Sequence, residues 1–220
     1  MMQGKLIVLE GIDGSGKSTQ YRRLCERLER EGADFRRVTF PRYDEESSAL
    51  IRAYLRGDFG SRPGDVNAYA ASTFYAVDRF ASFRTDWGAY YNAGGVVLCD
   101  RYTTSNACHQ GSKLPDGERQ RYLDWLYHFE FDLMGLPKPD LVVYLDIAVE
   151  TAKRRMAERE RATNTSADIH ERDMAYLQSC LTAGRAAAAH YGWHRVESGE
   201  RSVEEIHEEI YAAVSAALNG

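Results

Sequence analysis

Residues Leu6 to Thr19, LIVLEGIDGSGKST, constrain the fold more than any other stretch of the chain. An apolar run breaks into glycines and then into a lysine followed by two hydroxyl residues, which is the pattern of a strand, a loop and a helix start. Gly11 to Ser18 fits G-x-x-x-x-G-K-[ST]. Glycine tolerates positive φ and close backbone approach, so successive N–H groups can turn into one concavity sized for phosphate oxygens. The helix that follows offers its unpaired N-terminal N–H groups to the same anion. Lys17 is spaced to reach the β and γ phosphates, and Ser18 to hold Mg²⁺. The bland alternative is a glycine-rich turn that arose by chance. Against it, Val8 and Leu9 end a buried-looking strand, and Tyr21, Leu24, Cys25 and Leu28 follow at helical spacing. The pattern implies a nucleoside triphosphate site and leaves open what receives the phosphate.

With 220 residues and 44% apolar content, the chain reads as one domain with a sizeable core and room for a mobile insertion. A net charge of -5 argues against a surface that coats nucleic acid. Cys25, Cys99, Cys108 and Cys180 are far apart, with no metal-ligand spacing, so reduced thiols and a cytoplasmic location are expected. The first residues enter a strand without a charged and apolar leader, and no apolar run reaches membrane-spanning length.

Further along, Phe35 to Phe40 reads as a second strand, with Arg42 bare just beyond it. Ligands of open α/β sheets lie at the carboxyl ends of strands, so Arg42 is either an anion ligand or a solvated loop arginine. Ser47 to Leu55 reads as a short helix, Gly57 to Gly64 as a turn-rich connector, and Asn67 to Arg84 as a long helix. Tyr75 and Arg79 share one face of it, either to meet a base or as a packed tyrosine beside a surface ion pair. Gly95 to Asp100 is an apolar strand ending in an acidic residue, as magnesium beside a phosphate loop requires, and Arg101 follows at once. Glu118 to Leu133 reads as a helix whose apolar face is Tyr122, Trp125, Leu126, Phe129 and Leu133. Leu141 to Asp146 is another buried strand; Asp146 is read as a cap for the next helix, with a second magnesium ligand as the alternative.

From Val149 to Arg161 a helix carries Lys153, Arg154, Arg155, Arg159 and Arg161 among acids, then gives way to a polar segment. This is either an exposed salt-bridged face or a lid that folds its arginines over phosphates. Glu171 to Ala189 is a long helix, His194 to Glu197 a last strand, and Val203 onward a final helix. Strands separated by helices give a parallel sheet covered on both faces.

In that frame GIDGSGKST, FPRY, YAVDR, DRYTTSN, LPKPDLVVYLD and the arginine-rich lid resemble, in order and spacing, the thymidylate kinase family, over essentially the whole chain. The resemblance implies a three-layer P-loop NTPase fold of the α/β class with a parallel five-stranded sheet, in one domain of residues 1–220 with a mobile lid around 150–170. It implies transfer of the γ-phosphate of ATP to dTMP with Mg²⁺ as cofactor, small nucleotides as partners, no nucleic acid or membrane, and a homodimer. Gly11, Asp13, Gly14, Ser15, Gly16, Lys17, Ser18 and Thr19 would bind ATP, with Ser18 and Asp100 on the metal. Arg42 and Arg101 would hold the acceptor phosphate, Asp13 the sugar 3′-hydroxyl, Tyr75 and Arg79 the base, and Asn106 the pyrimidine edge, with His109 also among the substrate-binding residues. Lys17, Asp13, Arg101, Arg155 and Arg159 would form the catalytic set, since Gly14 stands where some members carry a basic residue. Arg154 and Arg161 are alternatives from the lid, Ser198 to Ser202 falls at the family's adenine loop, His109 stands where many relatives have tyrosine, and His170 where some have an aromatic residue near the base. Two competing readings are another nucleotide or deoxynucleoside kinase of the same fold, and a nucleotide-dependent switch. The absence of an N-K-x-D guanine-reading motif disfavours the switch.

Overall fold

The computed structural model describes residues 4–60, 62–163 and 174–219. Five strands, β1 (Lys5–Glu10), β2 (Phe35–Thr39), β3 (Val96–Asp100), β4 (Leu141–Asp146) and β5 (His194–Glu197), form one sheet in the order β2-β3-β1-β4-β5. Every pairing is parallel, and the register aligns Leu9 with Asp100 and Glu10 with Tyr144. The carboxyl ends of β1, β3 and β4 therefore lie side by side where the strand order turns, which is where open α/β sheets bind ligands.

Alternation along the strands sorts the core into two layers. Leu6, Val8, Val97, Cys99, Val142 and Tyr144 face one side, packed with Trp87, Tyr102, Tyr122 and Leu126. Ile7, Leu9, Leu98, Val143, Leu145 and Val196 face the other, against Leu24 and Leu28 of α1 (Lys17–Arg30) and Ile206, Ile210 and Val214 of α9 (Val203–Asn219). The first face is covered by α3 (Ala68–Ser82), α4 (Gly88–Asn92), α5 (Thr103–His109), α6 (Asp116–Tyr127) and α8 (Met174–Tyr191), with α2 (Ala49–Arg56) packed on α3. A third cluster seats α7 (Val149–Thr163) beside the phosphate loop and α8 through Ile12, Ala152, Met156, Leu177 and Leu181.

Three elements depart from the sequence reading. The helix expected to stop at Arg84 runs on through a π turn at Phe83–Trp87 into α4. The helix expected to end at Leu133 leaves α geometry at a second π turn, His128–Leu133. That wider turn rotates the apolar face, so Leu133 is 67% exposed while Glu130 and Phe131 turn inward. Asp146 caps nothing among the described contacts: its carboxylate accepts from Arg185 and Arg195 and its carbonyl from the Ser198 amide.

Candidate active site

The phosphate loop is built by three glycines under tight constraint. Gly14 (φ 80°) lies so close to Ala152 of α7 that a Cβ would run into that carbonyl. Gly16 (φ 89°) opens α1 in the left-handed region without a side-chain cap, and no acidic residue occupies the first turn. The first amides of α1 are thus left for an anion. A Cβ on Gly11 would come 2.7 Å from the Ser15 hydroxyl. The loop bounds a cavity of about 280 Å³ lined by Ile12 to Thr19, Arg155 and Met156.

Lys17 is buried and paired with Asp100. Burial, then the nearby Arg101 guanidinium, pushes its pKa down, and Asp100 and Glu10 push it back up. Arg101 sits just past β3 at φ 65° and donates to Asp13 Oδ1 at 2.7 Å and Glu10 Oε1 at 3.3 Å. Burial opposes its charge, but the carboxylates of Asp13 and Glu10 outweigh burial and raise its pKa. Glu10, fully buried, also accepts from the Gly11 amide, Thr104 Oγ1 and Ser105 Oγ, so one carboxylate ties β1, the phosphate loop and α5 together.

A second cavity of about 280 Å³ opens on the other side of Asp13, walled by Tyr75, Arg79, Arg101, Asn106, His109 and Tyr176 among others. Asn106 Nδ2 donates to the Ser72 carbonyl. A guanidinium only donates, so His109 Nε2 accepts from Arg101 Nη1 at 3.3 Å, which turns its Nδ1 proton toward Tyr176 and Cys180. Arg79, 1% exposed, is held by Glu130 through Nε at 2.7 Å and Nη2 at 2.5 Å. This pair is buried, so neither sequence reading, base contact alone or surface pair, describes it fully.

Arg42 is not bare. Its amide donates to Asp78 Oδ2 at 2.9 Å, its guanidinium lies 3.5 Å from Asp78 Oδ1, and Nη2 donates to Ser47. Its neighbours Pro41 and Tyr43 line the second cavity and Arg42 itself does not. From α7, Arg155 reaches across the phosphate loop, donating to the Ser15 carbonyl at 3.4 Å and the Gly199 carbonyl at 2.9 Å. Arg154 and Arg161 face solvent. The Arg159 side chain and the last part of the expected lid, residues 164–170 with His170, lie outside the described residues. Of the metal candidates, Ser18 is exposed on the first turn of α1, and Asp100 gives one oxygen to Lys17. No cluster of three or more acidic, histidine or cysteine ligands occurs among the described residues.

Sequence reasoning missed Glu10, Asp78, Glu130 and Tyr176. Each acts through partners far along the chain; Glu10 and Asp78 lay within stretches that drew attention, LIVLEGIDGSGKST and YAVDR, while Glu130 and Tyr176 lay in none.

The family model described as thymidylate kinase matches residues 9–210. The chain is 35% identical over 190 residues to the thymidylate kinase of Mycobacterium tuberculosis, covering 86% of this chain and 87% of that protein. It is 31% identical to the probable thymidylate kinase of Pyrococcus abyssi, across the whole of both chains. Its fold superimposes on the thymidylate kinase structure from Candida albicans with a TM-score of 0.74 at 20% identity, covering 99% of this chain and 93% of that one.

Proposed function

The chain belongs to the thymidylate kinase family, and from that premise we propose how its residues carry a phosphoryl group from ATP to dTMP. The reaction moves the γ-phosphoryl group of ATP onto the 5′-phosphate of dTMP, giving dTDP and releasing ADP. One observation supports the division of labour: the donor loop and the second cavity share Asp13, and Arg101 binds that carboxylate from the far side. A donor phosphate gripped by the loop and an acceptor phosphate beside Arg101 would meet at that junction. Because phosphoryl transfer asks chiefly for alignment and charge stabilisation, the work falls to fixed cations. An acceptor phosphate, with its second pKa at about 6, needs no general base near neutral pH.

Gly11, Asp13, Gly14, Ser15, Gly16, Lys17, Ser18 and Thr19 hold ATP, with Lys17 on the β and γ oxygens. Arg101 holds the acceptor phosphate, with Arg42 in support through the α3 end of the cavity. Asp13 accepts from the sugar hydroxyl. Tyr75, Arg79, Asn106 and His109 surround the base. Arg155 and Arg159 from the lid, around 150–170, neutralise charge at transfer; Arg155 already overlies the loop. Mg²⁺ suits the donor set, since it keeps several waters and needs only one or two protein oxygens beside the phosphates. The exposed Ser18 hydroxyl and the Asp100 carboxylate would hold the ion, which would supply positive charge against the phosphates. A homodimer is proposed through the outer face of α3, where Val77 and Phe80, one turn apart, are 46% and 39% exposed. A cytoplasmic location accords with four free, buried cysteines.

The test is an acceptor panel with ATP: dTMP, dUMP, dCMP, dGMP and thymidine side by side. Efficient turnover of dTMP is expected, and turnover of thymidine without dTMP would overturn the assignment.

A further inference from the structure

Glu130 is a carboxylate with 0% exposure, and nothing in its local sequence asks for burial. At 3.6 residues per turn, a straight α-helix would bring Phe129 onto the face of Tyr122 and Leu126 and leave Glu130 about 80° around from Tyr122. The π turn at His128–Leu133 changes that. Glu130 swings into the core, Leu133 swings out to 67% exposure, and a residue of high desolvation cost takes an apolar position. π turns recur where a side chain must be re-aimed for function.

What Glu130 meets is Arg79. Its two oxygens accept from Nε and Nη2 in a bidentate pair at 2.7 and 2.5 Å, and Thr103 Oγ1 donates to the same carboxylate at 2.6 Å. Arg79 Nη1 reaches the Tyr102 carbonyl at 3.4 Å. A guanidinium has five N–H groups, so two remain without a partner among the described residues, on a side chain that lines the acceptor cavity. The carboxylate thus clamps the far edge of the guanidinium and fixes which N–H groups can face the cavity. A bidentate pair fixes a plane, which a single contact would not.

We propose that Glu130 is a positioning residue for base selection: by locking Arg79 in one orientation it makes the cavity offer donors where a thymine 4-carbonyl accepts and a cytosine 4-amino group does not. This rests on the acceptor-site reading given above. A site built to hydrogen-bond one polar group discriminates strongly because the wrong group leaves buried donors unpaired. That discrimination lasts only while the donors cannot turn away. Through Thr103 the same carboxylate anchors the start of α5, which carries Asn106 and His109 into the cavity.

The experiment compares Glu130→Gln, Glu130→Asp, Arg79→Met and the Arg79→Met, Glu130→Gln double variant in steady-state assays with dTMP and dCMP, each protein first checked by thermal melt. Glu130→Gln puts an amide donor against the guanidinium. Glu130→Asp keeps the charge but draws the carboxylate back by one methylene, so it decides the matter where Glu130→Gln does not fold. Each is expected to raise KM for dTMP about tenfold or more, to change kcat by less than about threefold, and to narrow the dTMP over dCMP ratio of kcat/KM about tenfold. In the Arg79→Met background, Glu130→Gln is expected to add less than about twofold. Wild-type KM and selectivity in Glu130→Asp would mean that the carboxylate only balances charge, and the inference fails. Effects that multiply in the double variant would show that Glu130 acts elsewhere, with the same result. If Arg79→Met itself leaves KM for dTMP unchanged, the acceptor-cavity assignment is at fault and the inference falls with it.

Discussion

Lys17 shows what a functional residue demands of its surroundings. Its ammonium is buried, and burial lowers its pKa, yet the loop needs it charged; Asp100 and Glu10 act against the shift. Lys17→Met is expected to lower kcat by about 100-fold or more, since a fixed charge aimed at the transferring group is worth that much; single-turnover assays at saturating ATP would measure it. Lys113 presents a different balance. Its ammonium donates to the Tyr54 hydroxyl and the Val66 carbonyl, both at 2.9 Å, and no carboxylate pairs with it among the described residues. Burial pushes it down to about 8 from 10.5. Between those pH values the unfolded chain holds a proton that the folded chain has released, so stability contributed at this site rises with pH across the window and is lowest below pH 8. Lys113→Met removes that slope. Urea midpoints of both proteins, measured from neutral pH to beyond 10, are expected to show the wild type gaining on the variant as pH increases. The part proposed for Lys17 was legible in the sequence because its partners in the motif are adjacent. Glu10 and Glu130 were not, because what gives them meaning is Arg101, 91 residues on, and Arg79, 51 residues back.

At the scale of elements, the strands and most helices follow from local pattern, and the π turns do not. Helical periodicity assumes a constant advance per residue, and a single wider turn resets the face without leaving a local signal. Gly88 makes the consequence measurable. It follows the first π turn, and a Cβ there would strike the Phe83 carbonyl and approach the Phe83 ring at 3.1 Å. Gly88→Ala is therefore expected to destabilise by about 1–3 kcal/mol, the cost of overpacking a filled site. Gly117, in the first turn of α6, has no atom within 4 Å of a Cβ built there, and Gly117→Ala is expected to stabilise by about 0.4–1 kcal/mol. Equilibrium urea unfolding of the two variants should move in opposite directions. For α7, the sequence left an exposed charged face and a lid equally open. Arg155 does not simply join the exposed charged face: it crosses to the Ser15 and Gly199 carbonyls. Arg155→Ala is expected to lower kcat by roughly 10³-fold with a smaller change in KM for dTMP, as arginine fingers in related chemistry do. Near-normal turnover in steady-state assays would remove this arginine from the reaction.

For the whole molecule, the parallel order β2-β3-β1-β4-β5 sets Leu9 beside Asp100 and so brings Lys17 and Asp100, far apart in sequence, into contact. Among the described residues, the outer face of α3 leaves two large apolar side chains one turn apart, Val77 and Phe80, uncovered on a helix whose other face packs the core. If two copies meet there, Phe80→Asp is expected to shift sedimentation at micromolar concentration from a dimer to a single chain, with the fold retained in a thermal melt because Phe80 is outside the buried core. An unchanged sedimentation coefficient would place any interface elsewhere.

The sequence by itself determined the phosphate loop, the alternation of strands and helices and the acid that closes β3, because each depends on neighbours within a few residues. Their order along the chain was enough to identify the family. Tertiary structure alone decided that Arg42 is tied to Asp78, that Arg79 is clamped by Glu130, and that Glu10 joins three segments. Each centres on a buried carboxylate, and a buried charge finds its partner in space, where the folded sheet has already brought distant strand ends within hydrogen-bonding reach.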